Sequence, residues 1–342
     1  MEGKSLCFYC SLPLSPYILY DYPKEKDKDM TSILRSQRAK PLVLLTLIAL
    51  LFLAGCGSST TGGTTSGTST PTNPNANITL TVGGKLDTEA QLLTKMYVLL
   101  LQKAGFHVIE KSQLGTNAVV FAAINSGQID LYPEFTATGL AKLGKQSSSN
   151  PQKDYQTVKA GYEANYHITW LDVAPLNDTY GVCTTQSKAT SLGVTKISDL
   201  APKASTLSIA TPPDGKQYGV DVVKSVYGIT FKGVTTYNEE GLTFPAVMSG
   251  AQDLNICYTT AALIAKDNFV LLKDDKNAFP AYNPAPIVRD DTLKKAPGIA
   301  TALNPLAPLL TTQVSQQLQA QVVGGQSVTE VATNFLKSKG LL

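Results

Sequence analysis

From Ile78 to Leu342, short strand-like runs alternate with helix-like stretches, and this alternation restricts the chain to an α/β architecture. Ile78–Gly83 predicts a strand. Leu92, Leu93, Met96, Tyr97, Leu100 and Leu101 then recur at i, i+3, i+4 spacing, the mark of an amphipathic helix, which ends near Gly105. His107–Glu110 reads as a strand, Thr116–Ser126 as a helix and Gln128–Phe135 as a third strand. This order implies parallel strands joined by crossover helices. The order resumes with a strand over Leu207–Ala210, a helix over Val220–Tyr227, a strand over Val234–Asn238, a helix over Glu240–Ser249 and a strand over Asp253–Tyr258. Pro284-Ala285-Pro286 leads into Ile287-Val288-Arg289, and helical segments from Ile299 onward can return to the first unit. The chain then crosses twice between two lobes. Ligands of open α/β sheets bind beyond the carboxyl ends of strands, so a cleft between the lobes is the expected site.

Charge removes several function classes. Of 29 Lys/Arg and 26 Asp/Glu, residues 1–55 hold seven and five, which leaves 22 against 21 in the body. A near-neutral body lacks the clustered basic face that nucleic-acid binding uses. The two His (His107, His167) and five Cys share no metal-ligand spacing, which argues against zinc chemistry and any metal site. Gly-x-Ser-x-Gly, a phosphate loop and a Cys/His dyad in recognisable context are all missing, so the chain reads as a non-enzyme without a cofactor. Cys183 and Cys257 read as small buried residues; an oxidising exterior would permit them to pair, and their spacing does not decide it.

The front end reads as an address followed by an anchor. Residues 42–54, LVLLTLIALLFLA, form an uncharged apolar run behind Arg35, Arg38 and Lys40. A membrane-spanning helix needs about 20 apolar residues, so this shorter run suits a signal-peptide core. Leu53-Ala54-Gly55-Cys56 resembles the bacterial lipobox, which implies that Cys56 is lipidated and becomes the new N-terminus. Residues 57–77 are rich in Gly, Ser and Thr without apolar periodicity and read as a flexible tether. Residues 1–29, with Cys7 and Cys10, fit no bacterial signal peptide, and Met30 is the more natural start. The expected organisation is therefore a non-native extension over 1–29, a signal peptide over 30–55, and the lipidated cysteine with its linker over 56–77. Lobe 1 is expected over 78–181, lobe 2 over 182–283 and the return to lobe 1 over 284–342.

A set of segments in the body then carries a family resemblance. These are Gly83-Gly84-Lys85 with Asp87-Thr88-Glu89, Leu114-Gly115-Thr116-Asn117, Ile129–Thr138, Asn177-Asp178-Thr179-Tyr180, Gly241-Leu242-Thr243-Phe244 and Gly250–Tyr258. Leu271–Lys276 with Phe279-Pro280-Ala281-Tyr282, and the terminal Val331–Leu336, continue it. Together they resemble the osmoprotectant-binding proteins of ABC importers, the glycine betaine, carnitine and choline receptors of the OpuC and ProX type. The resemblance spans nearly all of 78–342 in order. It implies a type II periplasmic-binding-protein fold, and a tethered receptor agrees with the separately read lipobox.

A quaternary ammonium has no N–H to donate, so only dispersion and the negative faces of aromatic rings can hold it. Eleven tyrosines but one tryptophan follow Cys56, so a cage here is built mainly from tyrosine. By motif position the resemblance implies ligand contact by Phe135, Tyr180, Tyr258 and Tyr282, the first two from lobe 1 and its exit strand, the others from the end of lobe 2 and the return crossing. The family usually has tyrosine where this chain has Phe135; adjacent Tyr132 either compensates for the lost hydroxyl or is a packed strand residue. Thr138 stands where the family tunes ligand choice, or is an ordinary helix start. Lys85 either meets a substrate carboxylate or is solvated, and Asp178 either lines the cage or caps a turn.

One departure concerns the ligand. Where relatives tend to show Arg-x-Asp-Gly, this chain has Pro212-Pro213-Asp214-Gly215, and proline cannot pair with a betaine carboxylate. Lys216, Lys85 or backbone N–H groups substitute, or the ligand lacks a carboxylate, as choline does. Ligand wedged between rings of both lobes is expected to favour a closed state. The resemblance further implies a permease and ATPase as partners, and a monomer lipid-anchored on the extracytoplasmic face. The runner-up is a receptor for another small solute, such as an amino acid or polyamine; a polyamine would want several carboxylates beside the rings, and the neighbouring segments offer few.

Overall fold

The helix Thr88–Lys103 forms where the apolar spacing places it. Asp87 caps its start by accepting the Ala90 N–H at 2.7 Å, and Leu92, Leu93, Met96, Tyr97, Leu100 and Leu101 are all buried. Each such side chain contributes roughly 1.5–3 kcal/mol through apolar burial. Gly105 follows at φ 88°, a left-handed turn that ends the helix. The chain is seen here in a computed structural model that describes residues 73–148 and 150–342. The expected extension, the signal peptide, Cys56 and the tether up to residue 72 lie outside the described residues.

Two mixed sheets organise the body. The first contains β1 (Thr79–Lys85), β2 (His107–Gly115), β3 (Leu131–Phe135) and β4 (Ile168–Trp170). The second contains β5 (Tyr180–Thr185), β6 (Ser208–Thr211), β7 (Gly233–Thr236), β8 (Leu254–Tyr258) and β9 (Phe269–Leu271), after which β10 (Pro284–Arg289) rejoins the first. The strand orders are β2-β1-β3-β10-β4 and β7-β6-β8-β5-β9. β1 pairs in parallel with β2 and β3, and β6 in parallel with β7 and β8, as the crossover pattern predicts. The short strands β4 and β9 and the extent of β5 were not legible in the periodicity.

Each crossing enters its new sheet as an antiparallel strand. β10 runs antiparallel to β3 and β4, and β5 antiparallel to β8 and β9. The last helices pack back on lobe 1: Leu318, Val331, Ala332, Phe335 and Leu336 share a core with Leu93, Met96 and Leu101. Lobe 2 has its own core around Val182, Ile209, Val223, Leu254 and Ile256.

The crossings are cross-linked to each other. Asp178 N–H donates to Tyr282 C=O at 3.0 Å, and Tyr282 N–H donates to Asn177 Oδ1 at 2.7 Å. Asn283 Nδ2 donates to Leu176 C=O at 2.7 Å. The helix Thr312–Val323 reaches across as well, with Gln316 Nε2 on Thr259 C=O at 2.7 Å and Gln319 Nε2 on Thr260 C=O at 2.9 Å.

The open question about the two cysteines is answered by the sheet. Gly181 stands opposite Cys257 and Cys183 opposite Asn255, so the two thiols lie diagonally on one face of β5 and β8. They form a disulfide with Cα atoms 6.0 Å apart and 74 residues of sequence separation. Closing a loop of that length restricts the unfolded chain by about 4 kcal/mol in the chain-entropy account. The double substitution Cys183→Ser/Cys257→Ser is expected to lower the denaturant midpoint by an amount equivalent to about 2–4 kcal/mol. Equilibrium unfolding in oxidising buffer checks this, and an unchanged midpoint contradicts it.

Candidate functional site

Tyr180 and Tyr258, first and last residues of β5 and β8, stand directly opposite each other in the antiparallel register. Their rings lie 4.9 Å apart between centroids. Tyr180 was expected on the exit strand of lobe 1; it belongs instead to the second sheet, because the crossing has already paired with β8 by that residue. Tyr218 joins the pair from the short π-helix Lys216–Val220 that follows β6, stacked on Tyr180 at 6.3 Å with 20° between ring planes. This third ring was absent from the sequence reading. It follows Asp214-Gly215 by a few residues, and that proximity was the only available signal.

Asp214 holds the ring tips together. The Tyr180 hydroxyl donates to Asp214 Oδ2 at 2.6 Å, the Tyr258 hydroxyl to the same oxygen at 3.3 Å, and the two hydroxyls are 3.2 Å apart. The turn carrying Asp214 is tight: a Cβ on Gly215 would lie 2.5 Å from Thr211 Oγ1 and 2.8 Å from Pro212 Cδ. Burial and the Asp214 hydrogen bond push the Tyr180 phenol above its ordinary range, and burial does the same for Tyr258. Both phenols therefore stay protonated donors at neutral pH.

Lobe 1 contributes Phe135 and Tyr282. Pro284 pairs with Phe135, which places Tyr282 just beyond the end of β3 at the return crossing. Burial is the main influence raising the Tyr282 phenol, and Asp178 and then Tyr218 add to it; Tyr282 packs against the lobe 1 core. Phe135 is largely buried, and the Lys85 ammonium lies 5.0 Å from its ring centre. Thr138 sits half-buried on the first turn of the helix Thr136–Lys142.

Lys85 is neither solvated nor unpaired. Its Nζ contacts Glu134 Oε1 at 2.6 Å, with both side chains almost fully buried. Glu134 also accepts the Tyr132 hydroxyl at 2.7 Å and the Phe135 N–H at 2.8 Å. Tyr132 is thus a packed strand residue, and its hydroxyl is committed to Glu134.

Carboxylates converge around the rings, contrary to the expectation that the neighbouring segments offer few. Glu240 Oε1 accepts the Tyr258 N–H at 2.6 Å. Asp178 Oδ1 accepts from Thr260 Oγ1 at 2.7 Å. Burial pushes the Glu240 carboxyl up to about 7, against the Tyr258 hydrogen bond and aided by Asp178 and Asp214. Burial likewise pushes Asp178 up to about 6; the Thr260 bond opposes this, Asp87 adds to it and Lys85 opposes it. Glu89 lies deeper, its Oε2 accepting from Ser315 at 2.8 Å and Gln319 at 3.1 Å, and burial raises it well above the usual carboxylate range. Sequence reasoning missed Glu240 and Glu89, since both fall at helix starts where an acid is expected for local reasons.

A cavity of about 320 Å³ adjoins this site at the crossings, lined by Asn177, Thr179, Tyr180, Thr259, Phe279 and Ala281 among others. It meets Tyr180 but not the other three expected rings. Among the described residues, no group of three or more His, Cys, Asp or Glu is placed to hold a metal ion, and no helix is long and apolar enough to cross a membrane.

Comparison with known proteins decides the family. A family model for the substrate binding domain of ABC-type glycine betaine transport systems matches residues 78–338. The chain belongs to this family. Glycine-betaine-binding protein of Pseudomonas aeruginosa is 31% identical over 278 residues, covering 77% of this chain and 89% of that one. Glycine betaine-binding protein YehZ of Escherichia coli is 29% identical over 283 residues, covering 76% and 90%. Carnitine transport binding protein OpuCC of Listeria monocytogenes is 28% identical over 301 residues, covering 86% and 94%. A solved apo structure of YehZ from Escherichia coli matches with a TM-score of 0.71 at 28% identity, covering 77% of this chain and 99% of that one. A crystal structure of a glycine betaine/carnitine/choline ABC transporter protein matches with a TM-score of 0.73 at 24% identity, over 77% and 99%, and shows the same fold. This two-lobed fold of two mixed sheets is the type II periplasmic-binding-protein fold that the resemblance implied, and the family's members are substrate receptors of importers.

The raised carboxyls of this substrate-binding domain have a consequence for stability. Glu240 and Asp178 keep their protons to higher pH when folded than at their ordinary values of 4.5 and 3.8. The folded state then binds more protons in that window, so these groups favour folding most at low pH and less as pH rises through about 6–7. Glu240→Gln is expected to melt with the wild type at about pH 4 and above it at about pH 8. Paired thermal melts across that range test this, and a constant difference contradicts the Glu240 assignment.

Proposed function

We propose that this chain is the extracytoplasmic receptor of an ABC importer for quaternary ammonium osmoprotectants, with glycine betaine, carnitine and choline as the ligand class. The observation that carries the reading is the group of tyrosines at 180, 218 and 258, with two phenols tied to one carboxylate. The names of the relatives, glycine betaine-binding and carnitine transport binding proteins, support the same class.

The chemistry follows from the ligand's lack of an N–H. Its methyl groups carry the positive charge outward, and each ring face that meets them contributes about 0.5–2 kcal/mol, more as water is excluded. A phenol that donates to Asp214 keeps more electron density on its ring, which strengthens that attraction. Tyr180, Tyr218 and Tyr258 form the lobe 2 wall of the cage; Phe135 and Tyr282 form the lobe 1 wall, and closure about the two crossings brings the walls onto the ligand. Thr138, on the first turn of the helix after β3, tunes ligand choice from the lobe 1 side. Lys85 tensions the Phe135 side through Glu134, and Asp178 adds negative charge at the seam between lobes.

Binding is checked by titrating the purified protein with choline, glycine betaine and carnitine while following intrinsic fluorescence or heat. Tyr258→Ala is expected to weaken binding by more than about 1 kcal/mol while the far-UV spectrum is unchanged. Failure of all three solutes to bind overturns the reading.

The front end completes the proposal. Cys56 carries the lipid anchor, residues 57–77 tether the domain at the outer face of the membrane, and the protein acts as a monomer that delivers ligand to a permease driven by an ATPase subunit. Metabolic labelling with a radioactive fatty acid is expected to mark the wild type and not Cys56→Ser, and label in the variant contradicts the anchor.

A further inference from the structure

Three carboxyl groups bond at or beside the ring group. Asp214 sits at the tips of Tyr180 and Tyr258, Glu240 is bonded to the Tyr258 N–H, and Asp178 lies at the crossing between Tyr282 and Thr260. Among the described residues the lysine buried beside this region is Lys85, and the buried Glu134 neutralises it. Pro212 and Pro213 occupy the turn before Asp214 and bring no charge. Lys216 is exposed, and it takes part in none of the ion pairs among the described residues.

A betaine carries its own carboxylate a few bonds from the ammonium. Seated among these rings, that group would approach Asp178, Asp214 or Glu240, whereas the neighbouring lysines outside any ion pair, Lys216 and Lys273, are exposed to solvent and keep their own hydration. Like charges brought together in a partly desolvated site oppose binding, and an anion stripped of water without a partner adds a further cost. A ligand with the same ammonium head and a neutral tail meets only attraction. We propose that this pocket selects a trimethylammonium cation that lacks a carboxylate, and that Glu240 is the specificity-determining residue which disfavours the zwitterion.

Glu240 is singled out by its bonding. Asp214 organises the phenols, so its loss disturbs the rings themselves. The Glu240 side chain makes one hydrogen bond, to a backbone N–H, and a glutamine carbonyl in its place can accept that same bond. The substitution Glu240→Gln therefore removes charge while keeping geometry. Glu240 Oε1 accepts from the Tyr258 N–H of β8, no Lys or Arg pairs with it among the described residues, and Asp178 and Asp214 add to its retention of the proton. Its carboxyl titrates near neutrality, and the selectivity it imposes follows the pH.

The inference rests on the proposed osmoprotectant site, and titration calorimetry with choline, glycine betaine and putrescine separates the two. The expected result is that choline binds the wild type at least tenfold more tightly than glycine betaine at about pH 8, and that this ratio shrinks towards about pH 5.5. Glu240→Gln is expected to cut the ratio at least threefold, through weaker choline binding, tighter betaine binding or both. Glycine betaine binding as tightly as choline, or a ratio unmoved by Glu240→Gln in a variant that melts cooperatively, overturns the charge selection and leaves the cage standing. Binding of neither trimethylammonium compound, or a preference for putrescine over both, overturns the cage itself. Asp178→Asn supplies a second variant with the same expected direction, should Glu240→Gln fail to fold.

Discussion

The pair of hydrogen bonds that joins the two crossings sets the position of everything in the cleft. Asp178 N–H on Tyr282 C=O, and Tyr282 N–H on Asn177 Oδ1, tie the outgoing and returning chain together between the sheets. Tyr180 lies two residues beyond one of these points, and Tyr282 is itself the other. Tyr180 and Tyr282 are thus referenced to a shared backbone seam. Neither sheet alone holds all the expected rings: Phe135 belongs to the first, Tyr180 and Tyr258 to the second.

Much of this was legible in the chain. The spacing of Leu92, Leu93, Met96, Tyr97, Leu100 and Leu101 identified the first helix, and the alternation of strand and helix identified two parallel cores. What periodicity cannot convey is strand direction, so the antiparallel entry of β5 and β10 became visible only in the sheets. Tyr180 was misplaced in lobe 1 for this reason. The residue type at Tyr180 and Tyr258 pointed to a cage, but their opposition in register is a property of two strands far apart in sequence.

Electrostatics was the least legible part. Lys85 and Glu134 are 49 residues apart, and nothing local announces that they neutralise each other in the interior. Glu240 reads as an ordinary acid at a helix start, and only the fold brings it beneath Tyr258. Composition showed a near-neutral body, and it gave no sign that Asp178, Asp214 and Glu240 bond at or beside the ring group. A balanced total charge thus says nothing of where individual carboxyls meet in the fold.

The route of the chain also dictates an order of assembly. The second sheet is built from one continuous stretch, β5 to β9, whereas the first remains incomplete until β10 and the last helices have been made. A chain delivered amino-end first across a membrane can therefore finish its later-starting half sooner. The Cys183–Cys257 bridge belongs to that half and links two of its central neighbours, β5 and β8. It thus becomes available to oxidising enzymes while the amino-terminal half still awaits its final strand, and gives the growing molecule a covalently fastened nucleus on which the rest can dock.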